Sequence, residues 1–183
     1  MKQAPERPWS VPVALREIPE TGRRFEFTAD ERVRVALAKL AGVRALPRVE
    51  AVFDVTRRGT GMHVVGRVSA DVGQTCVVTL EPIDNIVEEQ VNVVFVPDEG
   101  EVAVPGDGAG KVDIDVASDD GPERMVGGVV DLGAVATEFL LLGIDPFPRK
   151  AGAMFAAPHA ESDAANPFDV LAALKSGQGS NDR

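Results

Sequence analysis

The chain is short of the side chains on which most catalysis relies. Among its 183 residues are one cysteine, two histidines, one tryptophan and no tyrosine. A single cysteine excludes an internal disulfide and fits a reducing compartment. Cys76, His63 and His159 are too few and too scattered for a structural zinc site, which takes four Cys or His ligands. Long hydrophobic runs are missing too. No stretch approaches the roughly 18 apolar residues of a membrane span, and Met1-Lys2-Gln3-Ala4-Pro5 begins nothing like a signal peptide. The expectation is a cytoplasmic protein without a membrane partner. There is no G-x-S-x-G elbow, no P-loop and no HExxH, and Gly106-Asp107-Gly108-Ala109-Gly110 lacks the strand-to-helix context of a dinucleotide fold. Acid–base work would fall to carboxylates or Lys, and nothing in the sequence pairs two of them. The expectation is a protein that is not an enzyme, with no cofactor, no metal and no small-molecule substrate.

Charge is present in plenty, and its position says more than its total. Residues 1–70 carry 13 Lys and Arg against 8 Asp and Glu, a net of +5, and the rest carries 6 against 21, a net of −15. Such asymmetry marks either a bipolar protein whose basic end faces a polyanion or two sets of merely solvated charges. If RNA is touched, the first half should do it, because affinity comes from cations that replace condensed counterions.

Period-two alternation dominates the middle of the chain. Met62, Val64, Gly66, Val68 and Ala70 share one face of a first strand. Cys76-Val77-Val78-Thr79-Leu80 reads as a second strand closed by Glu81-Pro82, and a third runs from about Gln90 to Val96. Upstream, Trp9 to Val13 is an edge strand, Arg23 to Phe27 alternates again, and Val49 to Val55 forms a hairpin with the central strands through Arg57-Arg58-Gly59-Thr60-Gly61. Thr28 and Glu31 form a capping box for a helix over 29–41. Val33, Ala36, Leu37 and Leu40 make its buried stripe and Gly42 its stop. Asp131 caps a second helix over 132–142, with Leu132, Val135, Ala136, Phe139 and Leu142 along one side. The fold class is α+β: an antiparallel sheet or small β-barrel of about six to eight strands, flanked by two helices, with a short C-terminal helix.

One domain over 1–150 is expected, interrupted by a mobile acidic loop at about 97–110 and a strand over Lys111 to Val116. A linker over 151–165, a helical motif over 166–175 and a disordered tail over 176–183 follow. In the motif Asn166 is an N-cap, Pro167 takes the first helical position, and Phe168, Leu171 and Leu174 form the apolar side. So short a helix cannot stand alone in water. It docks either on its own domain or on a partner.

Three stretches together resemble the YceD family, the large ribosomal RNA subunit accumulation proteins. They are VVGRVSADVGQTCVVTLEP (64–82), DLGAVATEFLLLGIDPFPR (131–149) and NPFDVLAALK (166–175). The residues that carry the likeness are Cys76, Leu80, Glu81, Pro82, Asp131, Leu132, Asp145, Pro146, Asn166, Pro167, Phe168, Leu171, Leu174 and Lys175. Many members carry Cys-x-x-Cys where this chain has Cys76 and Thr79, so Cys76 is expected to be a small buried hydrophobe. The resemblance implies a non-enzymatic factor in ribosome biogenesis, needed for the synthesis, processing or accumulation of 23S ribosomal RNA. Its partner would be ribosomal RNA or a large-subunit precursor, with Arg57, Arg58 and Arg67 as candidate phosphate contacts. The alternative is an acidic escort for a basic ribosomal protein, in which those arginines only keep the surface solvated.

Overall fold

The computed structural model describes residues 7–97 and 121–155. The chain divides into two compact units, Met1–Ala153 and Met154–Arg183, and the elements below belong to the first. The expected acidic loop from 98 onward, the strand Lys111 to Val116 and the helix Asn166 to Lys175 lie outside the described residues, with the tail and most of the linker.

The centre is a five-stranded sheet in the order β2-β3-β4-β5-β6, formed by Arg23–Thr28, Ala45–Arg58, Gly61–Thr75, Pro82–Pro97 and Glu123–Met125. Two short strands, β1 (Pro12–Ala14) and β7 (Val129–Asp131), pair separately as an antiparallel ribbon. The sheet is open, so the barrel alternative is not found. β2 and β6 lie at its two edges, and β6 pairs with β5 in parallel, so the sheet is mixed where an antiparallel one was expected. The two helices and the ribbon already cover one face. The sheet has no need to roll up to bury its apolar side.

The largest correction concerns the central stretch. The run 76–80, expected as the second strand, is a turn, and the expected third strand is the later part of a longer β5 that begins at Pro82. Two β-branched valines read as a strand by propensity, but propensity yields to local hydrogen bonding. Here the Leu80 N–H donates to the Cys76 carbonyl at 2.9 Å, and the Cys76 N–H donates to the Glu81 carbonyl at 2.8 Å. That last bond also fixes the phase of the hairpin. Hydrogen-bonded pairs alternate along an antiparallel ladder, so the odd-numbered residues of β5 bond to β4 and the even-numbered ones turn their backbone outward. Pro82 is even-numbered, and its missing donor falls on the open edge, where proline is tolerated.

Alternation sorts the two faces as the sequence implies. Val49, Ala51, Phe53 and Val55 on β3, Met62, Val64, Val68, Ala70 and Val72 on β4, and Val87, Val91 and Phe95 on β5 are buried on one side. Each large side chain so buried contributes on the order of 1.5–3 kcal/mol. Trp9 packs edge-on against Phe27 with centroids 5.1 Å apart, and Phe27 against Phe53 at 5.7 Å.

Helix α1 (Glu31–Ala41) starts later than expected, because Thr28 is still paired with Glu50 in the sheet. Asp30 is the cap, accepting from the Val33 N–H at 2.8 Å, and Gly42 ends the helix at φ 67°. Its inner side holds Leu37 and Ala38, leaving Leu40 56% exposed. Helix α2 (Leu132–Gly143) buries Leu132, Ala136 and Leu140 fully, while Leu142 points outward. Asp131 caps it as expected, and does more. Its Oδ1 also accepts the Val11 N–H at 2.7 Å, tying the helix start to the residue that leads into β1.

Gly66 sits mid-strand on the buried face of β4, opposite Phe53. A Cβ there would lie 2.0 Å from the Val52 carbonyl oxygen and 2.8 Å from the Phe53 ring. Gly66→Ala is therefore expected to destabilise by about 1–3 kcal/mol, read as a lower urea midpoint at unchanged slope.

Candidate interaction site at the β4–β5 turn

Residues far apart in sequence meet at the end of the long hairpin. The segment after α2 runs back along the turn, and the Val77 N–H donates to the Pro148 carbonyl at 3.0 Å. The Gln74 amide donates to the Asp145 carbonyl at 2.8 Å and itself accepts from the Asn85 amide at 2.8 Å. Lys150 completes the seam twice. Its ammonium donates to the Glu81 carboxylate at 2.8 Å, and its backbone N–H to the Cys76 sulfur at 3.3 Å.

Cys76 is fully buried, as expected, but it is no inert hydrophobe. The backbone N–H of Thr79 also donates to its Sγ, at 3.4 Å. The Lys150 amide first, then the contacts from Thr79, stabilise the thiolate against the opposing cost of burial, and hold the thiol down at about 6. The bond from Lys150 holds Glu81 below the usual carboxylate range, and raises Lys150 in turn. Both partners are half exposed, so this ion pair adds little stability. The Thr79 hydroxyl donates to Glu81 at 3.3 Å. The residues present do not fit a zinc ion: one sulfur, already accepting amide protons, is not a four-ligand set. Among the described residues no group of three His, Cys, Asp or Glu could hold a metal.

Around this seam the surface is apolar and exposed. Leu80 is 76% exposed and Phe147 is 70% exposed, and Val77 is exposed beside them. Leu80 also takes φ 60°, a left-handed conformation unique among the described non-glycine residues. It costs an L-residue roughly 1–2 kcal/mol. The Asp145 carboxylate accepts the Phe147 N–H at 2.8 Å and so sets the bend that carries Phe147 outward.

The structure thus gathers Cys76, Leu80, Glu81, Pro82, Asp145 and Pro146, while Asp131 and Leu132 serve as cap and core at the other end of α2. Asn166, Pro167, Phe168, Leu171, Leu174 and Lys175 lie outside the described residues. Gln74, Asn85, Phe147 and Lys150 were missed, and for Gln74 and Lys150 nothing local in the sequence announces a partner some seventy positions away. The three arginines do not form one site. Arg57 donates through Nε to the Ile18 carbonyl and through a second nitrogen to the Leu15 carbonyl at 2.9 Å, so it holds the 3-10 turn Leu15–Glu17. Arg58 stays at the β3–β4 tip. Arg67 lies on the open sheet face, in a row with Glu26, Val52 and Gln90.

The fold is an open mixed sheet covered by helices on one face, with an amide-wrapped cysteine under exposed apolar side chains at one end. The family described as large ribosomal RNA subunit accumulation protein YceD matches residues 64–175, and the chain belongs to it. No curated protein and no solved structure matches.

Two outcomes follow from the geometry. Because the folded thiol titrates at about 6 and an ordinary one near 9.0, folding releases a proton between those values. Stability should therefore rise from pH 6 toward 9, and Cys76→Ser should flatten that slope in urea titrations at several pH values. Arg57→Ala should cost about 1–2 kcal/mol through two lost carbonyl bonds, whereas Arg58→Ala should leave the melting midpoint within about 0.5 kcal/mol of wild type.

Proposed function

We propose that the protein is a non-enzymatic cytoplasmic factor in ribosome biogenesis, needed for 23S ribosomal RNA to accumulate, and that it works by adhesion through the β4–β5 turn. Family membership supports the role in large-subunit RNA accumulation. The observation that carries the adhesive reading is the exposure of Leu80, held in a conformation that glycine would adopt at lower cost. A strained, solvent-facing leucine between Cys76 and Glu81 is hard to account for by packing and easy to account for by a partner.

Two partners remain in view, each with its own observation. A direct contact with ribosomal RNA or a large-subunit precursor would fall to Arg58 and Arg67, since Arg57 is occupied within the fold. A basic ribosomal protein is favoured by the open sheet face. There Arg24, Arg48, Arg58 and Arg67 are outnumbered by Glu26, Glu50, Asp54, Asp71, Asp84 and Glu88, a poor surface for a polyanion. No helix among the described residues is long and apolar enough to cross a membrane.

The test combines cell and test tube. Depleting the protein should lower 23S relative to 16S RNA, and wild type should restore the ratio. Leu80→Gly with Phe147→Ser should fail to restore it, although the purified variant melts no lower than wild type because relief of strain at residue 80 adds about 1 kcal/mol. Full restoration by the double variant would remove the turn from the mechanism. RNA crosslinks lost on Arg58→Glu and Arg67→Glu favour the nucleic-acid partner, and a cationic protein retained after nuclease treatment favours the escort.

A further inference from the structure

The hairpin that positions the turn also leaves a long strand edge open. β5 spans Pro82–Pro97, yet β6 pairs only with Phe95, Val96 and Pro97. Among the described residues, Ile83 to Val94 has β4 on one side and no strand on the other. By the phase fixed at Cys76 and Glu81, the backbone amides of Asp84, Ile86, Glu88, Gln90, Asn92 and Val94 face away from the sheet. Such an edge is a template for another extended chain, since each outward N–H and C=O lacks a ladder partner. The opposite edge, β2, is only six residues long.

We infer that β5 accepts an extended segment of a cation-rich protein as an added strand. The charges along the edge choose the occupant. Asp84, Glu88 and Glu89 lie within six consecutive positions with no cation among them, and Glu81 precedes them at the turn. Asp84, Ile86 and Glu88 project on the same open face, with Ile86 75% exposed. A segment alternating Lys or Arg with an apolar residue would set all its cations on the open face, beside Asp84 and Glu88 with an aliphatic stem over Ile86, and its apolar side chains on the opposite face. The backbone ladder would supply affinity and the charges the choice of partner. This deepens the escort reading and rests on it for the sign of the partner's charge.

Amide hydrogen exchange on the full-length protein tests it, with a peptide of about eight residues alternating Lys and Val as the probe. In the free chain the even-numbered amides from Asp84 to Val94 should exchange rapidly. The peptide should slow them about tenfold or more, and added salt should weaken the effect. Gln90→Pro removes one outward amide without changing charge and should weaken binding about tenfold with the melting point kept. A peptide N-methylated at alternate residues should not bind, which covers the case in which the proline variant fails to fold. Asp84→Lys with Glu88→Lys should shift preference to a Glu-Val peptide.

Several results would overturn the inference. One is an edge already protected in the free chain, whether by its own residues or by a second copy at higher concentration. The others are protection that maps elsewhere, protection by an RNA oligonucleotide in place of the peptide, and no protection by the peptide at all. None of these touches the dependence of 23S RNA on the protein, which the depletion experiment reads separately.

Discussion

The pairing of β4 with β5 governs the rest of the molecule. Fourteen residue pairs run in unbroken register from Met62 with Phe95 to Thr75 with Pro82. A slip of one residue would exchange Val64, Val68 and Ala70 for His63, Arg67 and Ser69 on the buried side. The register therefore decides the core against which α2 packs, the arc of the Cys76 turn, and which backbone amides of β5 look outward. The turn in turn anchors the chain that leaves α2, through Gln74, Cys76 and Glu81.

Features set by local chemistry were legible in the sequence. Phe25 and Phe27 lie in a strand, Gly42 ends a helix in the left-handed region, Asp131 caps α2, and Arg57 with Arg58 leads into a hairpin. Errors arose where neighbours decide. Val77 and Val78 have strand chemistry, but the residues around them close a turn, and Leu80 bends in a way only glycine would have signalled. Leu40 and Leu142 continue helical stripes on paper and end up exposed, lining one surface groove between the two helices instead of the core.

The candidate site was legible only in part. Family motifs marked Cys76, Leu80, Glu81, Asp145 and Pro146 without saying that they meet. Their meeting depends on α2 returning the chain to the hairpin end, a tertiary event with no local trace. Arg57 illustrates the converse. As a sequence feature it is an exposed cation at a tip, and only the fold reveals two backbone carbonyls within its reach. Two adjacent arginines thereby divide their labour, one toward the backbone around the 3-10 turn and one toward the surroundings.

The acidity of the open β5 strand bears on how the protein behaves in a crowd of its own kind. Two such strands approaching each other would bring Asp84 and Glu88 near like charges, so mutual repulsion guards an otherwise adhesive backbone. That guard is electrostatic, and at moderate ionic strength dissolved ions screen it beyond about 10 Å, closer still as salt rises. Concentrated, salty or acidified stocks would strip away the same protection that dilute neutral buffer preserves, and stacking of sheets into insoluble ribbons would begin at this strand.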